Sequence, residues 1–167
     1  YAMEDSVRAI RALFNNAKDL KGVIGKYIEE HDSMKKDIER YIVEAVDATR
    51  KKLVDNARVV GGVKVVSALL PMKAAAVKDL VFKIRQDIPQ NLLCVIGSVD
   101  DGKPMLSVML SDDMVSEHKL NAGQMVREAA RLINGGGGGQ PHFATAGGKN
   151  ADMLSAAVDK VIELAAL

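Results

Sequence analysis

Residues 135 to 148 read Gly-Gly-Gly-Gly-Gly-Gln-Pro-His-Phe-Ala-Thr-Ala-Gly-Gly and lead into a helix-start signal at Asn150. Half of the chain's 14 glycines stand in this segment. Each glycine gives up more backbone freedom on folding than an alanine, roughly 0.5–1 kcal/mol apiece. Five in succession are retained only for close backbone approach or positive φ, so the segment is expected to lie against something. A flexible linker would contain serine and sit between domains, whereas Phe143, a second glycine pair and a capped helix follow here. Two compatible readings remain. One is a close-packed turn; the other is an anion-binding nest whose amides face phosphate, aided by Lys149 and by a helix start at Ala151 to Met153.

Upstream of this segment the periodicity is that of an α/β domain. VKVVSALL (63–70) and NLLCVIGSV (91–99) are short, rich in β-branched residues and flanked by turn residues, which predicts strands. Asp100-Asp101-Gly102-Lys103 is a hairpin signal, so residues 104–111 are expected to return antiparallel. Val77, Leu80, Val81 and Ile84 share one face of a helix predicted over 72–86, with Lys78 and Arg85 flanking it. Helices over 122–133 and 151–165, the second capped by Asn150, and a short strand near 142–146 complete an α/β domain with a mixed sheet.

Ahead of Gly61-Gly62 the pattern changes. Leu20, Ile24, Tyr27, His31, Met34, Ile38, Tyr41, Ala45 and Ala48 are spaced alternately four and three apart, the seam of a coiled coil. With Asn16 as N-cap, one helix is predicted over 17–57, preceded by a short one over 5–14. About 40 residues at 1.5 Å each make a stalk of roughly 60 Å. The expected division is therefore a helical stalk, 1–57, and an α/β head, 58–167. The seam must meet another helix: the short N-terminal one, missing sequence, or a second copy.

The 167 residues suffice for one good core. No apolar stretch approaches the ~20 residues of a membrane span, and no signal peptide's apolar centre is present, so a cytoplasmic protein is expected. The single cysteine, Cys94, lies in an apolar run and is read as core. Net charge is +1, but unevenly placed. From Arg58 to Arg85 six cations stand against Asp79 alone, whereas from Gln86 to Glu117 six carboxylates stand against Lys103 alone. One face is thus suited to attract a polyanion, unless the charges simply solvate a helix face.

The three histidines, His31, His118 and His142, are scattered, and no Cys/His spacing resembles a zinc site. Neither GxSxG nor GxxxxGK[ST] occurs, and the pairs Asp100-Asp101 and Asp112-Asp113 read as turn and helix-start residues. No catalytic residue and no metal ligand is assigned, so this chain by itself is not expected to be an enzyme. His142, beside the glycines, is placed either to stack on a base or contact phosphate, or to serve as a hydrogen-bonded structural group.

The segment 135–150 resembles the signature loop of the DHHA1 domain, in the form that ends alanyl-tRNA synthetases. The family's glycine run falls on Gly135 to Gly139. A variable residue follows at Gln140, then Pro141, two variable residues (His142-Phe143), Ala144, the variable Thr145, and Ala146-Gly147-Gly148. Where the family often carries arginine after the glycines and an acidic residue after the proline, this chain has Gln140 and His142. The similarity, stalk included, covers essentially the whole chain.

The resemblance implies a parent enzyme that charges tRNA with alanine using ATP and magnesium, and that carries a zinc-dependent editing domain. No cofactor is implied for the residues here, and a chain whose Tyr1 precedes the first methionine is expected to be a C-terminal piece. The implied role is to bind the outer corner of tRNA(Ala), by shape and backbone, and to tether the aminoacylation and editing modules to one substrate. Lys64, Lys73, Lys78 and Arg85 are the candidate phosphate contacts. Gly136, Gly137, Gly138, Gln140, His142 and Lys149 are the candidates around the glycine segment. Two rival roles are an oligomerisation device acting through the stalk, and the substrate-binding domain of a DHH phosphoesterase, whose Asp-His-His sequence does not occur.

Overall fold

A computed structural model describes residues 1–167. The chain forms two compact units, Tyr1–Ile42 and Val43–Leu167. The expected boundary at 57/58 is thus displaced to 42/43. The reason is packing: Val46 is buried and Leu53 and Val54 are half-buried in a core of the second unit, so the last turns of the long helix belong with the head.

In the first unit, α1 (Ala2–Leu13) is followed by the start of α2 (Leu20–Asp55). Helix α2 begins three residues later than the sequence pattern suggests. Asn15 and Asn16 both take left-handed φ (54° and 56°), which asparagine tolerates and which turns the chain after α1. Asp19 therefore caps α2 instead of Asn16, accepting from the Gly22 amide at 3.0 Å. Phe14 tilts against Tyr27 with ring centroids 5.3 Å apart.

The second unit is built on a six-stranded sheet of order β1-β2-β3-β4-β6-β5. The strands are β1 (Arg58–Val60), β2 (Val63–Leu70), β3 (Leu92–Asp100), β4 (Lys103–Leu110), β5 (Gly136–Gly139) and β6 (Phe143–Gly147). Only β2 and β3 are parallel neighbours, joined by the crossover helix α3 (Ala74–Asp87); all other pairs are antiparallel, so the sheet is mixed as expected. The β3–β4 hairpin turns on Asp101 (φ 51°) and Gly102 (φ 73°), the two consecutive positive φ values of a type I′ turn.

The apolar run of β3 is continuous because both its faces are covered. Leu93 and Val95 join Leu106, Val108 and Leu110 of β4 beneath α5 (Ala122–Ala130) and α6 (Leu154–Leu164). Leu92, Cys94 and Ile96 join Met109 beneath α3 and the end of α2. Gly97 has no side chain because a Cβ there would meet Leu69 Cδ2 at 2.6 Å and Leu154 Cγ at 3.0 Å, where α6 closes on the sheet. The short α4 (Asp112–Ser116) starts at the acidic pair read as a helix start.

Three expectations about the C-terminal third are corrected. The glycine run is a strand, β5, and not a loop. The helix predicted over 122–133 ends at Ala130 and continues as a 3-10 turn, Arg131–Ile133. The last helix starts at Leu154 after a 3-10 turn, Ala151–Met153, and the Asn150 side chain makes no cap bond.

Candidate nucleic-acid interface

Strand β5 pairs with β6 through Gly136↔Gly147, Gly137↔Ala146, Gly138↔Thr145 and Gly139↔Ala144, and Gln140 N–H closes the hairpin onto the Phe143 carbonyl at 2.9 Å. Its glycines fall into two classes. A Cβ on Gly135, Gly137 or Gly139 would stand inside β6, 2.6 Å from the Gly147 carbonyl carbon, 2.7 Å from Ala146 Cβ and 2.6 Å from the Phe143 oxygen respectively. Gly148 is equally constrained, 2.7 Å from Ile133 Cγ1. Gly136 meets nothing within 4 Å, and Gly138 meets only Arg127 Nε at 3.7 Å. The close-packing reading of the segment therefore holds for the alternate glycines.

The nest reading does not hold at the downstream end. Gly148 donates to the Pro104 carbonyl at 3.1 Å, and Lys149 and Asn150 both donate to the Ile133 carbonyl at 2.8 and 2.9 Å, so these three amides are committed inside the fold. What the hairpin leaves open is its outer edge. The alternation of an antiparallel ladder turns the amides of Gly137 and Gly139 away from β6, where β5 is the last strand.

The remaining expected contacts separate into distinct places. On α3, Lys78 and Arg85 are joined by Phe82 in one row, since positions four and three apart share a helix face. The Phe82 ring meets Phe143 edge-on, centroids 5.1 Å apart, which brings this row to the tip of the β5–β6 hairpin where Gln140 and His142 stand. Arg85 is not a free cation, because it is ion-paired with Asp112. Lys83 is likewise held by Asp47 at 3.0 Å and Asp79 at 3.3 Å, and hydrogen bonds to these carboxylates raise its pKa above the ordinary lysine value. Lys78 is exposed and lacks an acidic partner within 4 Å.

Lys73, at the start of α3, and Lys149, just past β6, lie at the other end of the sheet, beside the carboxyl ends of β2 and β6. Lys149 is thus separated from Gln140 and His142 by the length of the hairpin, about 13 Å at 3.3 Å per residue. Lys64 sits on β2, three strands from β6. A single patch of ten residues is not formed.

Three residues near these candidates escaped the sequence reading. Arg127, on the exposed face of α5, lies alongside Gly138, and Arg131 follows one turn later. Phe82 is 37% exposed, although it interrupts an otherwise buried set on α3. Arg127 and Phe82 were accessible as residues off the apolar stripe of an amphipathic helix. No group of three or more His, Cys, Asp or Glu residues is placed to hold a metal ion, and no helix is long and apolar enough to cross a membrane.

Residues 61–167 match the DHHA1 domain. The chain is 50% identical over 165 residues to the alanine–tRNA ligase of Bacteroides thetaiotaomicron, a match covering 99% of the chain and 19% of that protein. The chain thus spans about a fifth of the length of the curated relatives it matches. Among solved structures, the C-Ala domain from Aquifex aeolicus alanyl-tRNA synthetase superposes with a TM-score of 0.60 at 24% identity, over 67% of this chain and 99% of that one. RecJ from Thermus thermophilus superposes with a TM-score of 0.52 at 19% identity, over 78% of this chain and 18% of that one. These two likenesses are of fold alone.

Proposed function

The chain belongs to the DHHA1 domain family, and on that basis we propose that it is the tRNA-binding module of an alanine–tRNA ligase. It holds the outer corner of tRNA(Ala) and tethers the aminoacylation and editing modules to one substrate. The observation that carries this reading is the half-identical match to an alanine–tRNA ligase along nearly the whole chain. The geometry supports it with a row of Lys78 and the partly exposed Phe82 beside the hairpin tip that carries Gln140 and His142, a cation and an aromatic ring suited to a folded RNA read by backbone and stacking. The ATP and magnesium of charging and the zinc of editing belong, in this proposal, to the rest of the parent enzyme. So does catalysis.

The test is binding of the chain to tRNA(Ala), an unrelated tRNA and an RNA duplex of equal charge across a salt series, whose slope reports phosphate contacts. Preference for both folded tRNAs is expected. Equal binding to all three overturns corner recognition.

One observation favours a second reading. Tyr27, Met34, Ile38 and Tyr41 of the α2 seam are each more than half exposed, so the first unit offers an apolar stripe for a helix of another copy or of the parent chain. Sedimentation equilibrium of the chain and of a Met34→Glu, Ile38→Glu variant separates self-association from a monomer.

A further inference from the structure

At the end of the sheet opposite the hairpin tip lies a cleft of about 410 Å³, outside the carboxyl ends of β3 and β6. It is a concavity open to solvent, and its size is within the range of small-molecule sites. Its floor is largely apolar, from Pro104 and Met105 of β4, and one wall is bare backbone at Gly147 and Gly148. Lys103 and Lys149 stand at its rim. Neither lysine has a carboxylate within salt-bridge distance, although Asp100 also lines the cleft and pairs with Lys103 in the strand register.

The bareness of Gly147 is not explained by packing. A Cβ there meets no atom within 4 Å, whereas the adjoining Gly148 is fixed by Ile133. Gly136, its partner across the ladder, is also free of any such contact. A flat group laid on this wall requires the side chain to be absent; the fold does not.

We propose that this cleft takes a single unstacked nucleotide, its base lying on the Gly147-Gly148 backbone over Met105 and its phosphate between Lys103 and Lys149. Asp100 supplies an acceptor for a base amino group. The proposal rests on the RNA-binding reading above and assigns to it a second contact, distant from Gln140 and His142.

The test is titration of the isotopically labelled chain with adenosine 5′-monophosphate and cytidine 5′-monophosphate, followed by amide shifts. Adenosine and inorganic phosphate are the comparison probes. Saturable shifts at Gly135, Gly147, Gly148 and Lys149 are expected, with a Kd on the order of 1 mM, and weaker binding of adenosine. Gly147→Leu projects into the cleft from a Cβ position that meets no atom within 4 Å, and it is expected to weaken the nucleotide at least about fivefold with an unchanged melting temperature, as is Lys149→Ala. Absence of cleft shifts at about 10 mM nucleotide, or equal shifts from phosphate alone or in both variants, overturns the proposal. Nucleotide binding without preference for folded tRNA would sink the tether and leave the cleft standing. A tRNA preference untouched by both variants does the reverse.

Discussion

Arg85, in the last turn of α3, is ion-paired with Asp112 at the start of α4, and its side chain is only 24% exposed while that of Asp112 is 87% exposed. A residue that the charge pattern marks for phosphate thus holds two elements together. Lys78, two turns earlier on the same helix face, carries no such tie.

The two cations should therefore separate in experiment. Lys78→Glu is expected to weaken tRNA binding about three- to tenfold and to lower the salt slope by about 1. Arg85→Ala should leave the slope unchanged and cost about 0.5–1 kcal/mol of stability in urea, the range of an ion pair with one exposed partner. If both variants change the slope equally, Arg85 leaves Asp112 to meet RNA.

The glycines of β5 give a second contrast, one of folding. A Cβ on Gly137 overlaps β6, so Gly137→Val is expected to destabilise the head by about 3 kcal/mol or more, seen as a lowered denaturation midpoint. Gly136→Ala, with open space around it, should fall within about 0.5 kcal/mol of the parent. Equal stability of the two variants would mean that β5 does not pair with β6 as described.

Asp113 gives the unit a pH dependence. Burial pushes its carboxyl upward, but the neighbouring Ser111 hydroxyl and the Asn91 amide, which donates to Oδ2 at 2.8 Å, together with the nearby amides of Asp113 and Met114, hold it below the ordinary value of 3.8. A carboxyl with a depressed native pKa contributes stability above that ordinary value and loses it as pH falls through the native one. Asp113→Asn should accordingly lower the urea midpoint at neutral pH and reduce the loss on acidification. An unchanged acid profile would remove Asp113 from the account.

Cys94 is buried, and burial pushes its thiol up to about 12. The thiolate, which is the reactive form, is absent near neutral pH. Iodoacetamide should leave the folded chain unmodified at mildly alkaline pH and label it only as denaturant unfolds the head. Rapid labelling without denaturant would show that the β3 core opens locally.

How much of this was legible varies by element, for physical reasons. Strands β2, β3 and β4 and the I′ turn at Asp101-Gly102 were readable because β-branched runs and Asp-Gly chemistry are local. Strand β5 was not, since four glycines carry neither periodicity nor β-propensity, and only the presence of β6 makes them a strand. The cap of α2 was missed because asparagine serves equally as a cap and as a left-handed turn residue, and Asn16 took the second role. The candidate cations were legible as charges but not as free charges, since Asp112 lies 27 residues beyond the Arg85 it engages.

The sequence by itself determined strands β2 to β4, the crossover helix α3 and the family signature of residues 135–148, because each is written in local periodicity or in a run of residue types. Only the tertiary structure decided which glycines are required, which amides are spent and which cations are paired. Those outcomes depend on atoms brought together from distant segments: Thr145 and Ala146 against Gly137, the Ile133 carbonyl against Lys149 and Asn150, Asp112 against Arg85. Residue type declares what a group can do, and the neighbours supplied by folding decide which of those capacities is already used.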